Sequence, residues 1–151
     1  NQKKLLTGIL SYDSIPIDGR EYTIGTDGSA SPQEVRDFLA AFTTAMEYGR
    51  FHLKDREKNL QSLADLGLTL NDMKDVLRRL SVENYSAGPK PDDTDETREV
   101  WIFGYAVAGT EFYIKLRLAP APGKQHVQAA LVWSFHPAEY PMTYPLRGDA
   151  K

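Results

Sequence analysis

Two runs of alternating residues, "REVWIFGYAV" at 98–107 and "TEFYIKLRL" at 110–118, flank Ala108-Gly109 and constrain the fold more than any other stretch. Strand side chains point alternately to opposite faces, so Phe112, Ile114, Leu116 and Leu118 share one side while Tyr113, Lys115 and Arg117 share the other. A two-residue turn at Ala108-Gly109 sets Tyr105 opposite Phe112, Phe103 opposite Ile114 and Trp101 opposite Leu116, so the apolar faces coincide. The other face then pairs Gly104 with Tyr113, Ile102 with Lys115 and Val100 with Arg117. A third run, "VQAALVWSF" at 127–135, predicts a further strand with Val127, Ala129, Leu131, Trp133 and Phe135 on one side. Its other side ends in Ser134 and His136.

Helical signals precede these strands. Ser31, Pro32 and Glu34 supply an N-cap, a first-turn proline and a capping box, after which Val35, Phe38, Leu39, Phe42, Ala45 and Met46 recur at helical spacing up to a stop at Gly49. A second helix is expected over about 54–65, ending near Gly67, and a third begins at Thr69, with Leu70, Met73, Val76, Leu77 and Leu80 as its apolar stripe. Asp18-Gly19 between two short alternating runs predicts a hairpin near the start. The stretch "SAGPKPDDTD" sustains neither period and reads as a loop. The expectation is an α+β protein with helices packed on one face of a small antiparallel sheet. It forms a single domain over 1–151, with a hairpin extension at 1–30, a core at 31–136 and a proline-rich tail at 137–151.

Composition removes whole classes of function. Without cysteine there are no disulfides, thiolate nucleophiles or zinc fingers, which fits a reducing compartment and makes the cytoplasm the expected location. No apolar run approaches the ~20 residues of a membrane helix, and the opening "NQKKLLTGIL" has too short an apolar stretch for a signal peptide, so no membrane partner is expected. A net charge of −3 argues against indiscriminate binding to polyanions, so contact with nucleic acid must use a local basic patch. Phosphate-binding P-loop, dinucleotide glycine and G-x-S-x-G patterns are missing. His52, His126 and His136 lack zinc-ligand spacing. The Asp92, Asp93, Asp95 and Glu96 cluster lacks a calcium-loop pattern and reads as a solvated loop, so neither metal nor cofactor is expected.

What remains is the polar strand face. A phenol, an ammonium, a guanidinium and an imidazole on adjacent strands suit an RNA phosphate, with Lys115 and Arg117 stabilising negative charge. His136 or Tyr113 then moves protons as a ribose 2′-hydroxyl attacks, and nearby cations are expected to lower the tyrosine pKa. Tyr85, Lys90 and Arg98 border the face as further RNA contacts, and the tail with Tyr140 and Tyr144 reads either as a base-stacking segment or as a proline-stiffened strap laid over the domain. The same row also fits the water-facing side of a half-covered sheet that docks an acidic partner.

The order of motifs resembles the motility quorum-sensing regulator (MqsR) toxins over about residues 42–136. "ADLGLTLNDMKDVLRRLSVENY" at 64–85 is similar to that family's helix and exit segment, followed by a tryptophan-bearing strand at Trp101, "FYIKL" at 112–116 and "SF" before a basic residue at 134–136. The resemblance implies a bacterial type II toxin–antitoxin toxin of RelE-like fold, an mRNA interferase that cuts messenger RNA, free or on the ribosome, without metal and is held inactive by a cognate antitoxin. It carries the family's strand tyrosine to Tyr113 and its lysine to Lys115. The family's final lysine is His136 here, its glutamine after the tryptophan is Ile102, and its lysine after the exit aromatic is Ser86.

Overall fold

A computed structural model describes residues 30–148 together with strands β1 (Ser14–Ile17) and β2 (Arg20–Thr23). The expected turn at Asp18-Gly19 lies outside the described residues. From residue 30 the order is α1 (Pro32–Glu47), β3 (Phe51–Leu53), α2 (Arg56–Asp65), α3 (Leu70–Arg79), β4 (Tyr85–Pro91), β5 (Glu99–Val107), β6 (Thr110–Ala121) and β7 (Lys124–Pro137). Strands β3 to β7 form one five-stranded mixed sheet in the order β3-β7-β6-β5-β4, in which β3 runs parallel to β7 and the other pairs are antiparallel.

The helices start where their caps dictate. Ser31 Oγ accepts from Glu34 N at 3.1 Å while Glu34 Oε1 accepts from Ser31 N at 2.8 Å, and Thr69 and Asp72 repeat the reciprocal pair at 3.1 and 2.8 Å. Helix α1 buries the expected Val35, Phe38, Leu39, Phe42, Ala45 and Met46. Phe38 stacks on Trp101 with ring centroids 4.4 Å apart, which fixes this helix over β5. Helix α2 starts at Arg56 rather than Lys54, because Lys54 and Asp55 form the turn that leaves β3, with Asp55 left-handed at φ 48°.

The β5–β6 register is the expected one, from Val107↔Thr110 to Trp101↔Leu116. Ala108 and Gly109 both take positive φ, 51° and 84°, the conformation that matches a two-residue hairpin to strand twist.

Three expectations need correction. The sheet has five strands and is mixed, because Phe51–Leu53 pairs with β7 in a run too short to show a period. The stretch read as a loop after Asn84 contains strand β4, whose pairing with β5 is interrupted between Tyr85 and Ala87 and again between Ala87 and Lys90. Its prolines fit an edge strand, and Gly88 fits because a Cβ there would stand 2.7 Å from Val100 O. Finally, Val127, Ala129, Leu131, Trp133 and Phe135 do not share one face. Lys115 pairs with Ser134 but Leu116 pairs with Val132, so Trp133 is an extra residue that reverses the alternation, and Ala130, Val132 and Phe135 enter the core.

On the face away from α1, the chain after β7 returns across the sheet. Glu111 holds it: its backbone carbonyl accepts from Ala138 N at 2.8 Å, and its carboxylate accepts from Met142 N at 3.3 Å and the Tyr144 hydroxyl at 2.6 Å. Burial and the adjacent Glu111 carboxylate push the Tyr144 phenol up to about 12, so it remains a donor. Gly104 makes room beneath, since a Cβ there would lie 2.1 Å from Tyr144 Oη and 2.9 Å from Met142 Sδ. Gly104→Ala is therefore expected to break the Tyr144–Glu111 bond at a cost of about 1–3 kcal/mol, the range for overpacking. Denaturant unfolding should move to a lower midpoint and limited proteolysis at Arg147 should accelerate, whereas an unchanged digestion rate would show that the tail does not rest on Gly104.

Candidate active site

Reversal of the alternation at Trp133 brings the polar side chains of two strands together. With Phe135 turned into the core, Ser134 and His136 turn outward directly opposite Lys115 and Tyr113. Ile102 of β5 joins them as the floor of a cleft of about 510 Å³, with Ser86, Ala87 and Lys90 of β4 on one wall and residues 138–143 of the tail on the other. Tyr113, Lys115, His136 and Lys90 thus meet in one cavity of a size that suits a small ligand or one segment of a polymer.

The two rings of the floor are stacked. Tyr113 and His136 have centroids 5.4 Å apart and planes inclined by 20°. His136 Nδ1 lies 2.9 Å from Pro137 O. A carbonyl only accepts, so this bond requires the proton on Nδ1 and leaves Nε2 as the acceptor of the neutral ring. Burial raises the Tyr113 phenol above its ordinary value; Lys115 opposes the rise, and the carboxylates of Asp93 and Asp92 add to it. The expected lowering by nearby cations is therefore reversed, because desolvation of the phenolate outweighs the ammonium. A phenol that keeps its proton is a donor and not a base.

Lys115 has a counterion that periodicity did not reveal. Its Nζ lies 2.8 Å from Asp92 Oδ1, and Asp92 is only 2% exposed. The other carboxylate oxygen, Oδ2, accepts from Thr94 N at 3.0 Å and from the Thr94 hydroxyl. Burial pushes this carboxyl up, but the hydrogen bonds from Lys115 and Thr94 and the Lys115 charge outweigh it, holding the group far below the usual carboxylate range. Asp92 is thus a buried anchor rather than a solvated loop acid. Two of the ammonium's three donors remain beyond the bond to Asp92.

The other expected contacts lie elsewhere. Tyr85 is fully buried in the core, edge-on to Trp101 and Phe103, with its hydroxyl donating to Gly88 O and accepting from Ala30 N, so it cannot touch RNA. Arg98 closes the 92–98 turn through Asp95 at 3.2 Å and does not line the cleft. Arg117 directs Nη1 to Glu99 O at 3.3 Å, also outside the lining. Tyr144 is committed to Glu111 and Arg147, whose guanidinium carbon sits 3.9 Å from the ring centroid. Among the described residues no three His, Asp or Glu side chains converge as metal ligands would.

Asp92 also gives the fold a signed dependence on pH. A carboxyl whose folded pKa is lowered contributes stability that is fully present above its ordinary value of 3.8 and is lost as pH falls through the folded value. Asp92→Asn is expected to cost about 1–3 kcal/mol at neutral pH, as for a buried polar partner removed. It should also flatten the acid limb of stability below about pH 4. Urea unfolding from pH 7 to pH 2 checks both, and parallel acid limbs in the two proteins would refute the assignment. No family model, curated protein or solved structure matches the chain.

Proposed function

We propose that the chain is a metal-independent endoribonuclease, a messenger-RNA-cutting toxin with a RelE-like core and an N-terminal hairpin, restrained in a bacterial cytoplasm by a cognate antitoxin. The observation that carries the reading is the meeting of Tyr113, His136, Lys115 and Lys90 on one cleft. Motif order, in the manner of the motility quorum-sensing regulator toxins, supports the biological class.

In this reading His136 Nε2 accepts the proton of a ribose 2′-hydroxyl as its oxygen bonds to phosphorus. Lys115 and Lys90 stabilise the charge that develops on the non-bridging oxygens. The P–O5′ bond breaks, and Tyr113, kept protonated by burial, gives its proton to the departing 5′-oxygen. The products are a 2′,3′-cyclic phosphate and a 5′-hydroxyl, and solvent returns His136 and Tyr113 to their starting states. No electron changes hands, and every proton has a named carrier.

A second reading follows from the Lys115–Asp92 pair. An ammonium already neutralised at 2.8 Å also suits a noncatalytic surface that docks a protein or RNA partner.

Purified protein incubated with a mixed-sequence RNA and chelator distinguishes the two. Cleavage to 2′,3′-cyclic phosphate ends is expected, falling about 10²–10⁴-fold in His136→Ala, the usual worth of a positioned base. Tyr113→Phe should also lose rate while remaining folded, and Lys115→Ala should lose rate together with a lower unfolding midpoint, because it strips the buried Asp92 of its counterion. Silence of the folded wild type, with and without ribosomes, would leave the docking surface. Lys90→Ala should retain the fold and lower the salt slope of RNA binding by about 0.7, one phosphate contact on a single strand.

A further inference from the structure

The tail wall of the cleft contains a ring that neither packing nor the proposed chemistry uses. Tyr140 is 77% exposed although it lines the cavity that holds Tyr113, Lys115 and His136. An aromatic ring left in water beside a polar floor is costly to hydrate and well placed to be covered by a ligand. Its backbone is held on both sides: Ala138 N donates to Glu111 O at 2.8 Å, and Met142 N and the Tyr144 hydroxyl donate to the Glu111 carboxylate at 3.3 and 2.6 Å. Pro141 follows directly and removes one degree of backbone freedom. Tyr140 is thus an exposed ring on an anchored support.

We infer that Tyr140 is the stacking platform for one unpaired base of the substrate, which makes the cleft a reader of single-stranded RNA. This rests on the ribonuclease reading and adds a base-binding subsite to it. Lys115, Lys90 and Tyr140 line the same cleft, so a phosphate on the two lysines would bring its own nucleotide beside the ring, and a base has an exposed face only when it is out of a duplex. Stacking is indifferent to base identity, so Tyr140 selects strandedness rather than sequence. Glu111 and Tyr144 act as positioning residues because they hold the platform and do not touch substrate.

The test measures binding of an uncleavable 2′-O-methyl oligonucleotide, single-stranded and as a duplex, beside cleavage of the corresponding RNA. The wild type is expected to prefer the single strand. Tyr140→Ala should weaken single-strand binding about tenfold with an unchanged unfolding midpoint, and Tyr140→Phe should restore it, since the ring and not the hydroxyl is used. Tyr144→Phe should weaken binding by a smaller factor, and the double variant Tyr140→Ala/Tyr144→Phe should bind no worse than Tyr140→Ala alone. Wild-type cleavage together with Tyr140→Ala binding within twofold of wild type overturns the platform and leaves the ribonuclease intact. Wild type that neither binds nor cleaves RNA removes both.

Discussion

The structure depends on one extra residue in β7. The two faces of a regular strand alternate, so a chain that puts Ala130 and Val132 into the core would, continued regularly, put Ser134 and His136 there and Phe135 in water. The irregularity at Trp133 removes this conflict. It lets β7 fill the core along its first half and close it with Phe135, whose ring lies 5.2 Å from that of Phe112, while the terminal polar pair turns to the opposite face. Trp133 itself is not wasted, since Lys54 Nζ sits 4.1 Å from its ring centroid. The cleft and the core are therefore two results of the same local event.

Charge in the cleft is arranged by pairs rather than by sum. Lys115 rests on Asp92, Asp92 on Thr94, and the phenol beside them keeps its proton because burial prevails over the ammonium. A lysine tied at one of its donors loses little rotamer freedom when it meets an anion, which favours orientation over raw attraction. This accords with a chain whose overall charge is −3 and which therefore cannot rely on long-range steering.

Much of this was legible in the sequence. Capping residues and periodicity placed α1 and α3, and the coincidence of apolar faces gave the β5–β6 register residue by residue. The same alternation put Tyr113, Lys115, Ser134 and His136 on neighbouring polar positions, which the cleft unites. Where reading by period failed, the period itself was broken: at Trp133 by an extra residue, and in β4 by two interruptions within seven residues. Tyr85 was misassigned because a polar hydroxyl disguises a ring that the core uses whole, its oxygen satisfied by Gly88 and Ala30. Asp92 was out of reach for another reason. It lies 23 residues from Lys115, in a turn whose folding no local pattern encodes.

The two rims of the sheet have a consequence for how this molecule meets others. On one side β4 carries Pro89 and Pro91 and breaks register twice; on the other β3 is three residues long and is followed directly by a turn into α2. Neither offers the long, flat row of backbone groups on which an incoming chain could lengthen the sheet. At the five-stranded sheet the geometry therefore opposes the addition of further strands, and it directs association there toward side-chain surfaces, where specificity is written in shape and charge rather than in the backbone common to all chains.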